Sequence, residues 1–344
     1  MRIFAVVLTL GLAGGLAHAQ TPAPSGPEPT GLVVGSGNFF SPIVRDLAKA
    51  VAFYRDGIGL EVQGEPANAE ENPALRNMFG LPDAHIRWMV ARPPGTRTGV
   101  EIVEISNAGG KPLERRMQDA GAFTLIVFVR DLDETLARVK ALGAPVVSTG
   151  PVPAVLPFGA QNARMAMVQD PDGHFVELVQ PDEMPAHQAP ATANVVDVRV
   201  RLTVDDVDRS MRLYRDALGL EVVSEPKLRD DPAVSAAFGM SGGQYRAGIM
   251  HVPTSGLTFE VIDFKGVDRR RVRGRLQDPG STRIQFRVRD VDAAIAAFKQ
   301  FGGEVVSTGG APLTLPVPGS AIEVAIVRGP DNLFVVLIGA PPPK

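Results

Sequence analysis

Two short runs in the second half of this sequence place basic residues at alternate positions. Val198-Arg199-Val200-Arg201-Leu202-Thr203-Val204 is one, and Arg283-Ile284-Gln285-Phe286-Arg287-Val288 is the other. Successive side chains of an extended strand point to opposite faces. Arg199, Arg201 and Thr203 therefore share a face of the first strand, and Arg283, Gln285 and Arg287 a face of the second. If these faces meet, four guanidiniums converge, and burying them unpaired is costly. One resolution is an anionic ligand, a carboxylate or phosphate, held in the bidentate forks of the arginines. The other is pairing with acids of the protein itself, such as Glu260 and Asp263.

Other chemistry-bearing patterns are scarce. The five histidines (His18, His85, His174, His187 and His251) are scattered and sit at non-equivalent places. There is no Gly-rich phosphate loop, serine-nucleophile motif or H-E-x-x-H run. Cysteine is absent, which removes thiol and disulfide chemistry. The single tryptophan, Trp88, belongs to a predicted hairpin, as packing or as the wall of a site. Arg269-Arg270-Arg271 with Arg273 and Arg275 reads as an exposed helix face.

The strands are positioned by a repeated unit. Asp46, Tyr54, Gly59-Leu60-Glu61-Val62 and Glu65-Pro66 return 160 positions later as Asp206, Tyr214, Gly219-Leu220-Glu221-Val222 and Glu225-Pro226. After a one-residue deletion the offset is 159: Phe79-Gly80, Gln118-Asp119, Asp131 and Ser148-Thr149-Gly150 return as Phe238-Gly239, Gln277-Asp278, Asp290 and Ser307-Thr308-Gly309. Within each half a strand again runs into an Asp and then an amphipathic helix, at Phe39 to Asp46, Thr124 to Asp131, Arg199 to Asp206 and Arg283 to Asp290. Asp suits the N-cap because its carboxylate accepts from the free amides of the first turn, and Asp131 with Glu134 has capping-box spacing. Val207, Met211 and Tyr214, like Val291, Ile295 and Phe298, follow at helical spacing. Strand-rich runs complete each of four modules.

The strings IVRDLAKAVAFYRDGIGLEV and LTVDDVDRSMRLYRDALGLEV, with DPDGHFVEL at Asp170 to Leu178, resemble the vicinal oxygen chelate (VOC) superfamily, which includes glyoxalase I, bleomycin-resistance proteins and extradiol dioxygenases. The resemblance implies an α+β fold of tandem domains. Each would pair two βαβββ modules into a cup-shaped, partly closed mixed sheet with helices outside. It implies fold more firmly than reaction, since the superfamily contains lyases, isomerases, dioxygenases and binding proteins.

In the metal-dependent members the ligands are His, Gln or Glu. They come from the opening strand of each module, about seven residues before the capping Asp, and from last strands. Counting back from each Asp gives Phe39, Thr124, Arg199 and Arg283, none a good ligand. The resemblance assigns Glu177 to a closing strand, with Glu104 and Glu260 on the strands that end the odd modules. The expectation is no metal and no other cofactor, with Mg2+ or Ca2+ at Glu104 and Glu177 as the alternative. The first cup would be apolar, lined by Phe39, Ser41, Thr124, Phe128 and Phe175 beside Glu177. The second would be cationic, binding its ligand through Arg199, Arg201, Arg283 and Arg287 with Glu260.

Three functions follow as expectations: a metal-free protein binding a small organic or anionic ligand; a lyase, isomerase or dioxygenase-like enzyme with a degenerate metal site and Glu177 or Glu104 as general base; or a scaffold. Of the 344 residues, 44% are hydrophobic and 21% charged, and the net charge is -3, which disfavours nucleic acid as a partner. Arg2, the apolar run Ile3 to Leu16 and Ala17-His18-Ala19 read as a signal peptide over 1–19, for a secreted or periplasmic protein with no membrane segment once it is cleaved. A Pro/Ser/Gly-rich tether (20–36), a first domain (37–180), a Pro/Ala-rich linker (181–194), a second domain (195–339) and a Pro-rich tail (340–344) complete the reading.

Overall fold

The computed structural model describes residues 31–340 except 71 and 318. The expected signal peptide and most of the tether and tail lie outside the described residues. The first module contains β1 (Val33–Ser36), β2 (Ser41–Val44), α1 (Leu47–Ala52), β3 (Glu61–Val62), β4 (Ala67–Asn68), α2 (Pro73–Met78), β5 (His85–Arg92) and β6 (Val100–Ser106). The second has β7 (Phe123–Val129), α3 (Leu132–Ala141), β8 (Ala154–Phe158), β9 (Gln161–Gln169) and β10 (Phe175–Pro181). The third has β11 (Val195–Thr203), α4 (Val207–Met211), β12 (Glu221–Arg229), α5 (Pro232–Ala237), β13 (Gln244–His251) and β14 (Thr258–Lys265). The fourth has β15 (Thr282–Val288), α6 (Val291–Gln300), β16 (Glu304–Val305), β17 (Leu313–Val317), β18 (Ser320–Arg328) and β19 (Phe334–Gly339). The tether ends earlier than its composition suggests, because β1 pairs antiparallel with β15 and buries Val33.

Each capping Asp accepts from its helix: Asp46 from Lys49 N, Asp131 from Glu134 N, Asp206 from Asp208 and Arg209 N, and Asp290 from Ala293 N. The capping box does not close, for Glu134 pairs with Arg138 and the Asp131 amide donates to Asn194 Oδ1. Gly59 (φ 97°) and Gly219 (φ 85°) end the helical stretches in the left-handed region that glycine tolerates, which is why Gly-Leu-Glu-Val marks both copies.

The modules pair differently from the tandem-cup expectation. In every module the opening strand runs parallel to the last strand, as β2 with β6, β7 with β10, β11 with β14 and β15 with β19. Opening strands then join antiparallel across the linker, β11 with β7 and β15 with β2. The second and third modules thus form one sheet, β12-β13-β14-β11-β7-β10-β9-β8, and the first and fourth form the other, β16-β18-β19-β15-β2-β6-β5-β3. The linker explains this: Arg130 N donates to Asn194 O and Arg130 Nε to Ala193 O, which delivers β11 alongside β7.

The helix-side faces of both sheets share a single core. Phe40 stacks on Phe123 with ring centroids 5.5 Å apart, Phe123 lies 6.4 Å from Phe259, and Phe259 lies 6.2 Å from Phe286. One aromatic from each module therefore meets at the centre. The concave faces carry two separate apolar clusters, one per cup.

Candidate functional site

The four arginines do not converge. Arg199 and Arg201 project from β11 into the cup of modules two and three, whereas Arg283 lies in the cup of modules one and four. Arg287 follows Arg283 on the same face of β15, at the end that pairs with β1. The expectation of one cationic and one apolar cup fails because each sheet takes one module from each half of the chain.

In the cup of modules two and three, Arg201 is buried between two carboxylates. Its Nε donates to Glu260 at 2.8 Å and its Nη1 to Glu177. Phe238 covers the guanidinium, with its ring centroid 5.1 Å from the central carbon. Burial raises the pKa of Glu177, and the charge of Glu260 adds to the shift while Arg201 opposes it. The two acids in turn hold the Arg201 pKa above its ordinary value despite burial. Arg199 lies 4.5 Å from the ring centroid of Phe128 and 5.8 Å from that of Phe158, with Asp197 at 3.7 Å. Around these groups is a concavity of about 710 Å³ whose walls include Ile126, Leu156, Met165, Val179 and Ile262.

The other cup has the same theme in a tighter form. Arg283 is 1% exposed and donates through Nη2 to Glu101 at 2.9 Å. Glu101 also accepts from Gln285 (3.0 Å), Ser41 (3.3 Å) and Asn38 (3.4 Å). Phe79 lies 4.6 Å from the Arg283 guanidinium, and Leu75, Met78, Trp88, Val103 and Val336 enclose a smaller space of about 350 Å³. Burial lowers the Arg283 pKa, with Glu101 opposing.

The expected lining residues are divided accordingly. Ser41 belongs to the cup of modules one and four, while Thr124, Phe128 and Phe175 belong to that of modules two and three. Phe39 packs into the core between the sheets, because the strand is irregular at residues 37–40 and Asn38 takes the polar position. Glu104 is on the wrong face of β6. It accepts from Leu47 N (2.9 Å) at the start of α1 and pairs with Arg87 (2.6 Å). Glu104 and Glu177 lie in different sheets and cannot form one Mg2+ or Ca2+ site. The acid that corresponds to Glu260 is Glu101, missed in the sequence although the 159-residue offset points to it. The basic run is also corrected: 269–271 is a connecting segment, where Arg269 donates to Gln118 O and Val204 O, and Arg270 to Asp119.

A sequence model of the Glyoxalase/Bleomycin resistance protein/Dioxygenase superfamily matches residues 38–178 and 198–314. The chain belongs to this superfamily. It is 24% identical over 299 residues to a probable chloroplastic lactoylglutathione lyase of Arabidopsis thaliana, covering 86% of this chain and 70% of that one. The crystal structure of glyoxalase I from Zea mays superimposes with a TM-score of 0.55 at 18% identity, covering 88% of this chain and 92% of that one. A putative dioxygenase from Bacillus subtilis gives 0.52 at 14% identity, covering 91% and 87%. These structural likenesses are ones of fold.

Metal-dependent members of the superfamily imply a test of the donors. The strands concerned bring Thr124, Arg201, Glu260 and Glu177 together in one cup and Ser41, Arg283, Glu101 and Val336 in the other. Two carboxylates suit a divalent ion, but a guanidinium has no lone pair to give and lies between them. The second cup offers a single carboxylate that already accepts four hydrogen bonds. Among the described residues no group of three or more His, Asp or Glu could hold a metal ion. The side chains present do not fit the ion.

Proposed function

We propose that this is an exported small-molecule-binding protein of the superfamily, taking a small organic ligand into the cup of modules two and three with no divalent ion between Glu177 and Glu260. One observation carries the reading. The roomier cup pairs an apolar wall with a floor whose central cation is Arg201. Concave sites with mostly apolar walls and a few placed polar groups are the usual form of small-molecule sites. Export is supported by the Arg2, apolar-run and Ala17-His18-Ala19 pattern.

Native mass spectrometry of the intact protein against a panel of small amphipathic compounds tests the binding. One molecule per chain is expected, and it should be lost in Ala247→Trp, which fills the cup. Equal binding by that variant would move the site elsewhere.

A second reading, a lyase or isomerase with Glu177 as general base, is favoured by the raised pKa of Glu177 and by the lactoylglutathione lyases among the relatives. Turnover of lactoylglutathione abolished by Glu177→Gln would support it. Lack of turnover removes that substrate from consideration.

A further inference from the structure

We propose that the cup of modules two and three takes an organic monocarboxylic acid together with one proton, the ligand carboxylate lying on Arg199 and the proton on Glu177. This rests on the reading of that cup as the ligand site and names its ligand class.

Arg199 is the unspent donor of the cup. Arg201 commits Nε and Nη1 to the two glutamates. Arg199 has Asp197 at 3.7 Å, beyond hydrogen-bond length, and its buried Nε has no acceptor. Its guanidinium lies against Phe128 and Phe158, so those rings screen it from water while leaving its N–H groups to a planar acceptor. The apolar walls suit a hydrocarbon or aromatic body next to that head group.

Charge counting then requires the proton. Two guanidiniums, Arg199 and Arg201, balance Glu177 and Glu260, and a ligand carboxylate adds one negative charge to a buried site. Asp197, 3.7 Å from Arg199 with its side chain 35% exposed, is reached by water and stands outside this count. An unmatched buried charge is neutralised by a proton rather than tolerated.

Both acids accept from Arg201, and register distinguishes them. Glu260 lies directly beside Arg201 across β14 and β11. Glu177 has Ile126 and Met167 as its cross-strand neighbours. The charged and titratable groups lining the cup with Glu177 are Arg199 and Arg201 from β11, Glu260 from β14 and Tyr245 from β13, while α5 and the residue that caps it contribute only Val234 and Phe238. The upward shift of the Glu177 pKa by burial agrees with this assignment.

Calorimetric titration of the full chain with hexanoate and benzoate, in phosphate and in Tris, reads proton uptake from the buffer dependence of the heat. Hexanamide and benzamide serve as neutral probes. The expected result is close to one proton taken up per carboxylate bound, with Kd weakening by up to about tenfold per pH unit above the Glu177 pKa. Glu177→Gln should bind the acids without proton uptake. Arg199→Ala should lose roughly 10- to 100-fold in carboxylate affinity and leave the amides unchanged. Carboxylate binding without proton uptake overturns the proposal, as does amide binding equal to that of the acids, and in both cases the cup remains a ligand site. If neither acids nor amides bind, the proposal and the reading of the cup fall together.

Discussion

Arg201 and Arg283 occupy opposite members of two equivalent cross-strand pairs, one in each sheet. Arg201 on β11 faces Thr124 on β7, and Arg283 on β15 faces Ser41 on β2. By the repeat, Ser41 corresponds to Arg201 and Thr124 to Arg283. The arginine therefore comes from the odd module in one cup and the even module in the other. In both it reaches the glutamate of the odd module and lies near the equivalent phenylalanine, Phe238 or Phe79. The electrostatic demand of a buried glutamate is common to the cups, and the strand that meets it is not.

That relationship predicts what happens when the cation is removed. Arg201→Ala leaves Glu177 and Glu260 buried without a counter-charge, so it should destabilise the protein by about 3–5 kcal/mol in denaturant unfolding. Arg201→Met combined with Glu177→Gln and Glu260→Gln should recover most of the loss, since replacing a whole buried ionic cluster is often neutral. A single variant as stable as the wild type would mean that water already solvates the acids.

The same pair of acids predicts a metal response. Wild-type protein should bind no Zn2+, Ni2+ or Mn2+ dependent on Glu177, because the guanidinium lies where the ion would be held. Arg201→His exchanges a cation for a nitrogen donor between two carboxylates and should bind one Zn2+ or Ni2+ per chain. Arg283→His should not, having Glu101 alone. Calorimetry with each metal separates these outcomes, and stoichiometric binding by wild type that disappears in Glu177→Gln would refute the exclusion.

His174 links the two halves, with an acceptor against each ring nitrogen. Its Nδ1 is 2.9 Å from Asp170 and its Nε2 is 3.0 Å from the Ser281 carbonyl, an arrangement that only the doubly protonated ring satisfies at both ends. Tyr54 also donates to Asp170. Burial opposes the charge on His174, but Asp170 dominates with the hydrogen bonds and the pKa is raised. The folded value therefore exceeds the unfolded value of about 6.5. Stabilisation from this group should be complete below the unfolded value and be lost as pH rises through the folded one. Asp170, held below its ordinary range, contributes above its unfolded value and loses its contribution as pH falls through the folded value. Thermal melts across pH should show a high-side decline for wild type that is absent in His174→Gln. Parallel profiles would indicate a neutral ring.

Helices, their Asp caps and the βαβββ order were legible because each rests on local chemistry: a carboxylate for free amides, a glycine for a left-handed end, and alternation for a half-buried strand. Module pairing was not. All four opening strands have the same pattern and offer the same edge, so sequence alone gives β7 no reason to prefer β2 over β11. That choice lies in Asn194 and the linker backbone. Arg199 and Arg201 were read onto the concave side from alternation. Glu101 and Glu104 are three residues apart on β6, so a strand's two-residue period puts them on opposite faces, and it is Glu101 that enters the cup. Residues 37–40 follow no period, so no alternation argument could have exchanged Phe39 for Asn38.

The last prediction concerns Glu104. Its carboxylate accepts the Leu47 amide at the start of α1 and pairs with Arg87, and Asp263, its counterpart, accepts from Val207 N (3.3 Å) at the start of α4 and from Arg246 (3.0 Å). The role repeats in both halves: an acid on the last strand of an odd module ties down the first turn of that module's helix, where the free amides favour negative charge. Glu104→Ala should therefore cost about 1–2 kcal/mol of stability, and Arg87→Ala less, since an exposed partner contributes little. Neither change should alter ligand binding or proton uptake in the cup of modules two and three, because Glu104 faces the helices of the other sheet. Unfolding curves and calorimetric titrations on the same preparations measure both quantities. Loss of ligand affinity in folded Glu104→Ala would return this residue to the site, and unchanged stability would remove it from the helix start.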